Sequence, residues 1–97
     1  MTVFSVMVDK PTRAQSDLIT AHFKTGPYGW WHWIDGHWLV RDTSQALTAT
    51  ELRNQLKPFV AGRVLLVLQL AEGSTWAGNS KTTATKKPFA WLHKNFK

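Results

Sequence analysis

Between Gly29 and Arg41 the chain places four tryptophans, two histidines, an aspartate and an arginine. Side chains of these types stack on planar ligands, move protons or pair with anions. Asp35-Gly36 lies at the centre of the run, the dipeptide that supplies positive φ for a type I′ hairpin turn. With a two-residue turn, Ile34 opposes His37, Trp33 opposes Trp38, His32 opposes Leu39, Trp31 opposes Val40 and Trp30 opposes Arg41. That register puts Trp31, Trp33, Trp38 and Val40 on one apolar face, which reads as core beneath helices. Trp30, His32, Ile34, His37, Leu39 and Arg41 fall on the other face. There Trp30 is either a base-stacking platform, with Arg41 opposite to pair a phosphate, or a ring buried at a subunit seam.

Asp9 ends the first apolar run, and antiparallel pairing brings it toward His37 and Asp35. A carboxylate-imidazole cluster of this kind holds a divalent metal or acts in acid-base catalysis. The alternative is that Asp9 caps the turn at Lys10-Pro11 and Asp35 serves the hairpin turn alone. Asp9-Lys10-Pro11-Thr12 lacks the glycines of a phosphate loop, which argues against a nucleotide triphosphatase. With no cysteine in the chain, thiolate zinc sites and cysteine nucleophiles are excluded. His22 and His93 sit on amphipathic helical spellings and read as structural.

These residues need elements to position them. Thr2 to Val8 alternates, with Phe4, Val6 and Val8 on one side and Ser5, Met7 and Asp9 on the other, as a strand does. Pro11 ends it, and Thr12 or Ser16 caps a helix carrying Leu18, Ile19, His22 and Phe23 that stops at Gly26-Pro27. The hairpin supplies strands two and three. Thr48 with Glu51 spells a capping box for a second helix bearing Leu52, Leu56 and Phe59. Arg63 to Leu70, almost wholly aliphatic, predicts a fourth strand buried on both faces. Residues 71–87 read as a loop anchored by Trp76, and Pro88 to Phe96 as a short helix.

The order β-α-β-β-α-β predicts an α+β, ferredoxin-like split βαβ fold with spatial strand order 4-1-3-2 and both helices on one face. The other face must be covered, by the C-terminal segment or by a second subunit, and a homodimer is expected. At 97 residues and 43% hydrophobic content, the chain is one domain: core 2–70, then loop and helix over 71–97. Early charges and the lack of a long apolar run predict an unexported, cytoplasmic protein with no membrane partner. The net charge of +6 and pI near 10.1 favour anionic partners. Five basic residues, Lys81, Lys86, Lys87, Lys94 and Lys97, lie near the end, as a solvated tail or an anion-binding one.

Asp9, Gly29-Trp30-Trp31-His32-Trp33-Ile34, Trp38-Leu39-Val40, Glu51-Leu52-Arg53, Leu56-Lys57-Pro58 and Leu65-Leu66-Val67 together resemble small bacterial and phage proteins of the SinR-like group. The resemblance spans most of residues 2–70. It implies distant kinship with the smaller CRISPR adaptation subunit and VapD-type toxins, which are ferredoxin-like homodimers and include metal-dependent nucleases. In those nucleases an aspartate ending the first strand of each subunit flanks a metal at the dimer axis, and Asp9 matches that position. Lys10-Pro11 follow it where an aliphatic residue is usual, and Val8 precedes it where tyrosine is frequent. No DNA-reading helix-turn-helix is implied.

The leading expectation is a non-enzymatic dimeric module binding nucleic acid or a nucleotide-derived anion through Trp30, His32, His37 and Arg41, for instance a phage protein sequestering a signal. It needs no cofactor. The enzymatic alternative is a magnesium- or manganese-dependent phosphodiesterase using Asp9 and His37. The third is an inhibitor that docks on a host protein.

Overall fold

The computed structural model describes residues 2–44, 46–78 and 89–95. Strand β1 (Thr2–Val8) leads to helix α1 (Arg13–Thr25), the hairpin β2 (Tyr28–Ile34) and β3 (His37–Asp42), helix α2 (Ala49–Leu56), strand β4 (Leu65–Leu70) and helix α3 (Ala90–Asn95). Both longer helices begin at reciprocal caps. Thr12 Oγ1 accepts from the Gln15 N–H at 3.1 Å while Gln15 accepts from the Thr12 N–H, and Thr48 and Glu51 repeat the arrangement. Each box satisfies amide donors that the first turn leaves without intrahelical partners. Pro58 sits in the one-turn 3₁₀ helix Lys57–Val60 that ends α2 one turn before Phe59 and Val60 reach the core.

The four strands form one antiparallel sheet in the order β2-β3-β1-β4, which is 4-1-3-2 from the other edge. Alternation in β1 sorts its side chains as its sequence predicts. Phe4, Val6 and Val8 join Trp38 and Val40 of β3 under Ile19 and Phe23 of α1 and Leu52 and Leu56 of α2, all buried. Leu18, by contrast, is half exposed. At the rim of this layer the Gln55 Oε1 accepts from the Tyr28 hydroxyl and lies 2.9 Å from His22 Nε2, which ties β2, α1 and α2 together. His22 is therefore structural.

Two expectations are corrected. β4 is not buried on both faces: it is an edge strand, with Leu66 and Leu68 nearly half exposed. A continuous aliphatic run records what a strand can bury, not whether the fold supplies two covers.

The hairpin register also differs. Ile34 does oppose His37, but Trp31 then opposes Leu39, Trp30 opposes Val40 and Gly29 opposes Arg41. His32 and Trp33 together face the single residue Trp38, a β-bulge that shifts everything N-terminal to it by one position. The turn is not type I′ either, because Gly36, and not Asp35, has positive φ. A bulge adds local twist, which accommodates a turn of this hand.

Gly36 is needed twice over. Its φ is +74°, and a Cβ there would collide with the carbonyl oxygen of Val8, whose own N–H donates to Gly36 O at 2.7 Å. Gly36→Ala is expected to cost about 1–2 kcal/mol from backbone conformation alone, and more from the collision. A urea midpoint unchanged from wild type would refute this.

Candidate functional site

The bulge decides which side chains meet. It carries Trp30 to the helix side, where the ring packs against the core beside Val40. Trp31 goes to the opposite face, buried, with its ring edge-on to His37 at 6.3 Å between centroids. Trp33, expected in the core, is half exposed, and Ile34 is exposed beside it. His32 stacks on the buried Trp38 ring at 4.1 Å and 16°. Burial lowers the His32 pKa, the nearby Asp35 carboxylate raises it, and His37 lowers it further; the net direction is down.

The four residues expected to share a binding face are thus divided. Trp30 lies on the helix side and His32 lies against Trp38, while His37 and Arg41 lie on the far face. Arg41 is engaged in the fold: its Nη1 donates to Asn95 Oδ1 at 3.2 Å, and Asn95 Nδ2 donates to the Trp91 carbonyl at 2.7 Å. These contacts pin α3 across β3. On the neighbouring strand, the Trp91 ring lies over Gly29, its Nε1 3.7 Å from where a Cβ would stand.

The C-terminal segment therefore covers the β2-β3 half of the face opposite the long helices, one of the two covers the sequence allowed. Beneath it is a cavity of about 320 Å³. Trp31, His37 and Leu39 form its floor with Leu70 at one side, and Trp76, Phe89 and Leu92 form its roof. Trp76 meets Phe89 at 5.5 Å and His93 edge-on at 4.9 Å. It anchors the loop, as expected, through these two rings.

One hydrogen-bonding side chain on the floor stands out. His37 Nε2 lies 2.7 Å from Ser5 Oγ, which comes from the adjacent strand and is buried. Burial lowers the His37 pKa, so the ring is neutral at pH 7 and its tautomer sets the direction of this hydrogen bond. A serine-histidine contact of this length is also the geometry of a nucleophile and its base. Ser5, however, is not part of the cavity wall, and no carboxylate orients the imidazole among the described residues. The pair therefore presents one polar group in an aromatic cavity.

Asp9 is exposed at the end of β1, where its N–H donates to the Val64 carbonyl at 3.0 Å. Asp9, Asp35 and His37, expected to meet at this corner, do not form a metal-holding group. Asp35 instead acts on His32, and no group of three or more His, Asp or Glu is placed to hold a metal among the described residues. No helix among the described residues is long and apolar enough to cross a membrane. Of the basic tail, Lys94 lies exposed on α3, while Lys81, Lys86, Lys87 and Lys97 fall outside the described residues.

The roof was the part that sequence reasoning missed. The sequence offered the C-terminal segment as one cover for this face, but nothing in the spacing of Trp76, Phe89 and Leu92 said that they close a cavity. Among known proteins, the chain matches no family, no curated protein and no solved structure.

Proposed function

We propose that this protein is a non-enzymatic binding module that takes a planar, nucleobase-type ring into the cavity between Trp31 and Trp76. The observation that carries the reading is the cavity itself: about 320 Å³, walled by tryptophan and phenylalanine rings, with His37 as the polar group on its floor. Small-ligand sites are typically concave, mostly apolar and of roughly 300–1,000 Å³, with a few polar groups that fix orientation. The described walls include no lysine or arginine. The ring of a nucleotide-type ligand, rather than its phosphate, is what they suit, so Trp31 and His37 replace the Trp30-Arg41 pairing. The sequence of elements and the strand order support a ferredoxin-like assignment.

Titration calorimetry with nucleosides, cyclic nucleotides and short oligonucleotides tests the proposal. A nucleoside-sized ligand should bind with little dependence on salt, in contrast to a phosphate-tracking groove. Trp76→Ala removes a stacking ring from a loop and leaves the sheet untouched. It should weaken binding about 5- to 150-fold, the range set by about 1–3 kcal/mol per base-aromatic stack. Binding by oligonucleotides alone with a steep salt slope, or an affinity indifferent to Trp76→Ala, would count against the cavity.

A further inference from the structure

We infer that β4 pairs edge to edge with β4 of a second copy of this chain, which joins the two sheets into one. Among the described residues, β4 lies at the sheet edge and is hydrogen-bonded to β1 on one side only. The Asp9 N–H donates to the Val64 carbonyl across this ladder. By antiparallel alternation Leu66, Leu68 and Leu70 turn their backbone groups toward β1, and Leu65, Val67 and Gln69 turn theirs outward. That outward row is an open template for another strand.

Proteins usually guard such an edge with charge, proline or a bulge. From Val64 to Ala71 the chain has no charged residue and no proline. Leu66 and Leu68 are 48% and 46% exposed, on the face that the C-terminal segment covers farther along the sheet. A face-covering helix elsewhere and bare leucines here mark β4 as the unfinished side of the molecule.

The sequence of β4 is compatible with itself in antiparallel register. With a two-fold axis at Val67, Val67 meets its own copy, and Leu65 meets Gln69 of the second copy as a hydrogen-bonded pair. Leu66 then opposes Leu68 of the second copy at the closely spaced, non-hydrogen-bonded positions, so four exposed leucines cluster over the axis. Beyond the strand ends, Arg63 comes beside Glu72 of the second copy, so the flanking charges are complementary. Such an interface is isologous and closes at two copies.

Sedimentation velocity of the full chain without ligand tests this, so its outcome is separate from that of the cavity reading. Wild type should sediment as a dimer at micromolar concentration, with the Leu65, Val67 and Gln69 amides protected from hydrogen exchange. Leu66→Lys/Leu68→Lys alters exposed side chains only and should weaken the dimer by about 100-fold or more, with unchanged circular dichroism. Gln69→Pro removes one outward N–H and should weaken it too. A monomeric wild type would overturn the inference. So would a dimer that survives Gln69→Pro with those amides unprotected, since the leucines would then be packing face to face.

Discussion

Trp38→Ala is expected to lower the unfolding free energy by about 3–5 kcal/mol, the range for truncating a large buried aromatic. Trp38 is fully buried and central to the packed layer between the sheet and the two longer helices. One ring face is stacked by His32 at 4.1 Å, and its Nε1–H points to Thr20 Oγ1 at 3.4 Å. Removing it opens a cavity in the buried cluster that includes Phe4, Val6, Phe23 and Val40. Since a domain of this size has about 5–15 kcal/mol in total, the variant should be at the edge of folding. Trp38→Phe, which keeps a ring and loses a long hydrogen bond, should cost much less. Trp33→Ala, at a half-exposed ring, should fall within about ±0.5 kcal/mol of wild type. Urea unfolding followed by far-ultraviolet circular dichroism separates the three, and equal midpoints for Trp33→Ala and Trp38→Ala would contradict the observed register.

That contrast also shows what could be read from the sequence. β1, both capped helices and the strand order were legible because each is fixed by local chemistry: the alternation Phe4-Val6-Val8, the cap offered by Thr12 or Ser16, the box at Thr48, and the punctuation at Pro11 and Gly26-Pro27. The position of Trp38 followed from its short distance to the turn. Trp30 and Trp31 were misassigned because they lie beyond the bulge at His32-Trp33, and a bulge is chosen by packing on both faces at once. Tyr28 and Trp30 pack on the helix side while Trp31 packs beneath α3, an outcome no pattern within β2 encodes. Leu66 and Leu68 were misread for a related reason. Their sequence is that of a strand covered on both faces, and nothing in it says how far along the sheet the cover over β2 and β3 extends.

The candidate site inherits that limit. Its floor is set by the bulge, which brings Trp31 beside His37, and its roof by a segment whose attachment points are Arg41-Asn95 and the packing of Leu92. Arg41 was legible as a functional-looking cation on the correct face. Its partner is a C-terminal asparagine fifty-four residues away in sequence, and pairing across such a distance leaves no periodic trace. The binding reading thus moves from charge recognition to enclosure by rings. It makes the C-terminal segment part of the site rather than a tail.

Asp42 at the end of β3 should be a pH-sensitive support of the fold. It is almost fully buried, and three donors converge on its carboxylate: the Ser44 N–H at 3.0 Å and hydroxyl at 2.7 Å on Oδ1, and the Leu47 N–H at 2.8 Å on Oδ2. Together they fold the connection that delivers Thr48 to the start of α2. Burial by itself would raise the Asp42 pKa. Hydrogen bonds from the Ser44 side chain and from the backbone of Leu47 and Ser44 outweigh it and hold the carboxyl below its ordinary value. Asp42→Asn puts an amide donor where at least one of these donors needs an acceptor, and should cost about 2–4 kcal/mol at pH 7 from lost charge-assisted hydrogen bonds and a stranded buried N–H. Because the folded pKa lies below the unfolded one, the unfolded chain binds the proton first as pH falls. The stabilisation is therefore complete well above about pH 4, the unfolded value, and is lost as pH drops through it toward the folded pKa. Unfolding free energies of wild type and Asp42→Asn measured from pH 7 to pH 3 should converge at the acid end. A gap that stays constant, or widens, would mean that the carboxylate's charge is not what holds the connection between β3 and α2.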